Sequence, residues 1–183
     1  MSFGSTFTQA VRQPLRLLLA AGVLTGNVLA AQAQEFSHDI TLSDIMASIV
    51  MPAANVLWEA AYPESTPEGE VIKGPESEEA WQKVHEAAIS LAASTNLLLI
   101  PDLPVVDPAL VRETPAGELT PKVIGELIKS QNAAWAAHAM AMHTVAIQAL
   151  IAVDGRDLNT LYEITGGLDA PCTSCHQQFW YPE

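Results

Sequence analysis

The sequence predicts an all-α protein, an antiparallel four-helix bundle with one long connection. Three observations carry this expectation. Apolar residues make up 49% of the 183 residues while aromatics make up only 6%, and the difference is largely alanine and leucine, the best apolar helix formers. Four long stretches repeat apolar residues at spacings of three and four, separated by proline-rich breaks. No alternating strand pattern interrupts them. The length suits one domain with a real core, and the apolar content is too high for a disordered chain.

The first 33 residues stand apart as an expected secretory leader. Arg12 and Arg16 precede an apolar run of about 15 residues, short of the roughly 20 that span a bilayer, and Ala31-Gln32-Ala33 supplies the small-residue cleavage pattern. Cleavage after Ala33 leaves a mature domain over residues 34–183, with no membrane insertion. The leader holds two arginines and no acid, so its removal takes the formal charge from −13 to −15. Such a surface repels nucleic acid and anionic lipid, and it suits solubility or a basic partner.

The first helix is expected over residues 42–61. Thr41 or Ser43 can cap it, and Asp44 sits in its first turn. Ile45, Met46, Ile49, Val50, Ala53, Val56 and Leu57 form its inward stripe. Pro52 inside it predicts a kink that frees the Ser48 carbonyl. The segment YPESTPEGEVIKGPESE reads as a turn-rich loop. A second helix begins near Ser77, carries Trp81, Val84, Ala88, Leu91 and Leu98 on one face, and stops before Pro101. A long proline-broken connection ends at Thr120-Pro121, a cap followed by proline at the first helical position. A short helix over 122–129 leads to the third long helix, 132–153, which Asp154-Gly155 terminates. The fourth covers 157–179, loosened at Gly166-Gly167.

Both cysteines lie on that last helix, in Cys172-Thr173-Ser174-Cys175-His176. Spacings of three and four put the two thiols and the imidazole on one face. Two thiols can then reach two vinyl groups of a flat cofactor while His176 reaches the metal at its centre; Cys-x-x-Cys-His is the haem c attachment signature. Other chemistries are open to the same residues. A thioredoxin-like dithiol expects a βαβ context, which is missing here. A structural zinc site needs a fourth, distant ligand such as His38, His85, His138 or His143. A plain disulfide closes a very short loop and gives His176 no role.

A helical bundle with this motif on its last helix resembles the class II c-type cytochromes, the cytochrome c-prime family. The resemblance extends over residues 35–183, and CTSCHQQFWYP is its most specific part. IMASIVMPAANVLWEAA resembles the first helix of a poorly characterised branch of that family, and ASTNLLLIP its second. The resemblance implies one covalent haem c, thioethers on Cys172 and Cys175, and His176 as the proximal iron ligand. It also implies export to the periplasm, an electron-transfer partner protein, and a homodimer paired through the first two helices.

The sixth iron position decides between electron transfer and gas binding. In the family the distal residue comes from the first helix, and low-spin members carry a methionine there. Met46 lies on the inward stripe with Val50, Ala53 and Leu57. Met51 is about 140° round an ideal α-helix from it, so both are not expected to face one iron, and Met46 is preferred. His85, His138 and His143 are weaker candidates, and Met140 and Met142 read as packing. Phe179, three residues after His176, is expected to pack near the haem, with Trp180 and Tyr181 covering its edge or closing the bundle's end. Family members often place a basic residue just after the motif; HQQFWYPE has none, which leaves Arg112, Arg156 or Lys129 as propionate partners. No acid–base or nucleophilic constellation is present, so the chain is not read as an enzyme. The expected function is single-electron transfer by a His/Met-ligated monohaem cytochrome. The alternatives are a five-coordinate haem protein for small gases such as NO and CO, and a non-haem helical bundle with a redox or metal site at its tail.

Overall fold

The computed structural model describes residues 39–110 and 113–181. The chain divides into Met1–Gln34 and Glu35–Glu183, and every described residue belongs to the second unit. The expected leader and its cleavage site, together with His38 and Arg112, lie outside the described residues. The fold is mostly helical, with one small two-stranded sheet.

Thr41 starts the first helix through a capping box. Its hydroxyl accepts from the Asp44 amide, and the Asp44 carboxylate accepts from the Thr41 backbone N–H and hydroxyl. Two further amides of that first turn, Leu42 and Ser43, donate to the carbonyls of Pro104 and Val105 at 2.8 and 3.0 Å. The helix end is thereby sealed by the long connection. Thr41→Ala is expected to lower stability by about 1–2 kcal/mol, read from the urea midpoint at unchanged slope. A shift within 0.5 kcal/mol is the contrary result.

Helix α1 (Leu42–Ile45) continues through a π-helical turn (Met46–Val50) into α2 (Met51–Trp58), one apolar helix in all. It stops at Trp58, short of the expected residue 61, and Ala60 and Ala61 are buried in the turn that follows. The chain does not simply kink at Pro52. It widens just before the proline, so that the Met51 amide reaches back five residues to the Met46 carbonyl. Pro52 has no N–H to give and its ring crowds the preceding turn; the wider turn absorbs one extra residue. Ile45 and Val50, five apart, both reach the core, while Ile49 is only partly buried.

The segment expected to be loop is a hairpin instead. Strand β1 (Tyr62–Thr66) pairs antiparallel with β2 (Gly69–Lys73), Tyr62 opposite Lys73 and Thr66 opposite Gly69. Gly69 takes φ +130°, open to glycine at little cost. Most of its residues are exposed on both faces, so the period-two signal of a half-buried strand never arises.

Helix α3 (Glu78–Leu98) is capped by Ser77, whose hydroxyl accepts from the Ala80 amide. Helix α4 (Pro121–Ser130) is capped by Thr120, with Pro121 at the first position. Helix α5 (Asn132–Asp154) follows, and Asp157 caps α6 (Leu158–Gly167). The expected fourth helix is broken at Leu168, after which α7 (Asp169–Phe179) begins. The turn after α5 also differs in detail: Arg156 takes the left-handed conformation at φ +54°, and Gly155 does not. The Arg156 guanidinium lies 4.8 Å from the Trp81 ring centre and pairs with Glu78, contacts that hold the strained residue.

Helices α3 and α5 share the central packing. They bury Ala87, Ala88 and Leu91 on one side and Ala146, Ala149 and Ala152 on the other. Small residues let two helices approach closely. The His143 ring N–H donates to the Ala92 carbonyl at 3.1 Å, joining the pair by a polar clamp. Among the described residues, α5 is long and apolar enough to cross a membrane by length and composition. In this fold Trp135, Ala139, Met142 and Val153 on it form part of the core.

Candidate functional site

Helix α7 carries the Cys-x-x-Cys-His motif. The break at Leu168 sets its direction, and the Thr173 hydroxyl donates to the Asp169 carboxylate at 2.9 Å across its first turn. Cys172, Cys175 and His176 are each half-buried, and both thiols are free. All three line one cleft of about 240 Å³. Facing them are Met46, Val50, Met51 and Ala54 of the first helix and Trp135, His138 and Met142 of α5.

The apolar walls set the protonation states. Burial pushes the Cys175 thiol up to about 12, and Cys172 beside it adds to the rise. Burial and then the negative charge of Asp169 push Cys172 up as well. Both are therefore thiols at neutral pH, unlike the low-pKa thiolates of redox dithiols. Burial lowers the His176 imidazole, against the opposing pull of Asp169. A neutral ring keeps a nitrogen lone pair available to a metal.

Met46 and His176 also line a second cavity of about 350 Å³, with Ser43, Val105, Leu119, Trp180 and Tyr181. The two cavities thus meet at these two side chains. Trp180 and Tyr181 flank the imidazole, at ring-centre distances of 5.8 and 6.4 Å. Their amides both donate to the His176 carbonyl, so the chain curls round the histidine at the end of α7.

Met51 also lies at the first cleft. An ideal helix turns it away from Met46, yet both line the cleft, because the π turn brings residues five apart closer round the helix. His138 also faces this cleft. Its Nε2–H donates to Gln178 at 2.7 Å, and Gln178 donates in turn to Gln131. His85 and His143 lie elsewhere, His85 against Asp154 and His143 in the α3–α5 clamp. Phe179 is fully buried but is not among the residues lining the cleft. It packs edge-on behind Trp135 and His138, with ring centres 5.2 and 6.0 Å away. Arg156 is engaged with Glu78, and Lys129 pairs with Asp102 at 2.7 Å; neither lines the cleft.

Among the described residues, no three His, Cys, Asp or Glu side chains converge as a metal cage. The cleft instead offers two thiols on one wall, an imidazole and opposing thioethers, a soft donor set in an apolar slot. Ala54, Ala139, Asp169 and Pro171 are cleft residues that spacing alone did not single out. Comparison with protein-family models, curated proteins and solved structures finds no match.

Proposed function

We propose that this chain is an exported, monohaem c-type cytochrome of the class II kind that passes single electrons to and from a redox partner protein. The observation that carries the reading is that Cys172, Cys175, His176 and Met46 line one apolar cleft. In this reading the helices Leu42–Trp58, Glu78–Leu98 and Asn132–Asp154, with the broken helix over 158–179, act as an antiparallel four-helix bundle. Cys172 and Cys175 would hold haem c through thioethers, and His176 and Met46 would supply the iron's protein ligands. The haem supplies a one-electron iron couple when bound. Trp180 and Tyr181 orient His176, Trp135 and Met142 exclude water from the cleft, and Phe179 supports the wall from behind. The acidic surface steers a basic partner face. Periplasmic location and a homodimer belong to the same proposal.

One observation favours the five-coordinate, gas-binding reading. Met46 stands between two cavities and is only half-buried, so it has room to act as a wall and leave the iron open. The experiment is haem staining of the exported protein after denaturing electrophoresis, followed by optical spectra of the native protein. Retained haem, low-spin bands and a weak far-red methionine–iron(III) band are expected. Retained haem with a high-spin spectrum that responds to carbon monoxide transfers the assignment to gas binding. Loss of haem on denaturation overturns both cytochrome readings and leaves a non-haem bundle.

A further inference from the structure

The π turn gives the cleft a second methionine, and this has a functional consequence that rests on the haem reading. Across the wide turn the Met51 amide bonds the Met46 carbonyl, which brings residues five apart closer round the helix than an α-helix does. Both line the cleft that also holds Cys172, Cys175 and His176. Met142 lines it too but is fixed in the core at 6% exposure, and Met140 is 50% exposed and is not among the residues lining the cleft. Met51 is different from both. It is 45% exposed, at the mouth of the cleft, so little packing holds its side chain in place. Methionine is unbranched, with three rotatable bonds, and its soft sulfur suits haem iron.

We propose that Met51 is an alternative sixth ligand, able to replace Met46 on the same iron. The exchange breaks one sulfur–iron bond and forms another. It consumes no electron, proton or co-reactant. The wide turn brings both residues to one cleft, where an α-helical turn over the same residues sets them about 140° apart. The iron is then buffered against loss of either methionine, for example by oxidation to the sulfoxide, which is a poor substitute for a thioether.

The test compares the haem-loaded wild type with Met46→Leu and with the double variant Met46→Leu, Met51→Leu. Leucine keeps the volume, so folding is preserved to within about 1.5 kcal/mol, and covalent haem with the circular dichroism spectrum verifies loading and fold. The readouts are the far-red methionine band and the ring-current-shifted methyl resonance of a bound methionine in protein labelled with [methyl-13C]methionine. Met46→Leu is expected to keep both, the resonance moving to a new position that belongs to Met51. The double variant is expected to lose both, and the carbon monoxide affinity of its reduced form to rise about tenfold over Met46→Leu, as the open fraction grows from about a tenth to nearly all. A high-spin Met46→Leu without a shifted methyl overturns the proposal while leaving Met46 ligation intact. A wild type without a methionine band instead removes the ligand assignment itself, and Met51 falls with it.

Discussion

Replacing Cys172 and Cys175 together by alanine is expected to abolish haem retention on a denaturing gel while the helical circular dichroism persists. Covalent attachment through two thioethers is the step the motif makes possible, and no other cysteine exists in the chain to take it over. The fold depends little on these sulfurs. Both are half-buried, and Cys172 makes a long 3.5 Å approach to the Leu168 carbonyl. Cys175 packs against the core, so removing both sulfurs costs about 1–2 kcal/mol, within the ordinary range of point substitutions. The expected result is thus a clean separation, complete loss of staining with near-native unfolding of the apoprotein. Staining that survives in the double variant overturns the thioether assignment. Collapse of the fold instead assigns the cysteines a structural role.

The limits of the sequence reading follow from which forces are local. Caps at Thr41, Ser77 and Thr120 were legible because a side-chain oxygen satisfies an amide two or three residues on, within the same few residues of sequence. The cysteine–histidine face was legible for the same reason, since three- and four-residue spacing fixes a common side of any helix. The hairpin was not legible, because Glu64, Val71 and their neighbours are exposed on both faces and carry no burial pattern. The π turn was hidden too. It depends on Pro52 just after the turn and on core anchors at both ends, Leu42 and Ile45 before it and Ala53 and Leu57 after it. That turn is why Met51 lines the cleft alongside Met46. Phe179 shares the helical face of His176 by spacing, yet Trp135 and His138 from α5 intervene between it and the cleft. Such screening is tertiary and leaves no mark in the spacing.

Trp135 joins the stability of the fold to the shape of the site, and its removal is expected to have the largest structural effect. The ring is 2% exposed, its indole N–H donates to the Leu98 carbonyl at 2.7 Å, and it lies edge-on to Phe179 and stacked with Trp180. It therefore ties α5 to the C-terminus of α3 and to the end of α7 at once. Trp135→Ala is expected to cost about 3–5 kcal/mol through lost burial and a residual cavity, with the Leu98 carbonyl losing its indole donor. That is a large share of the 5–15 kcal/mol typical of a domain, equivalent to a midpoint lower by roughly 6–20 °C. Trp135→Phe isolates the hydrogen bond, because it keeps most of the ring and leaves one carbonyl unsatisfied, at about 1–3 kcal/mol. The same two variants separate packing from site geometry. If Trp135 acts as a cleft wall, Trp135→Ala admits water beside the iron and shifts the haem spectrum even below its unfolding temperature, whereas Trp135→Phe lowers stability with little spectral change. Equal spectral change in both variants contradicts that role and assigns the effect to the indole hydrogen bond alone.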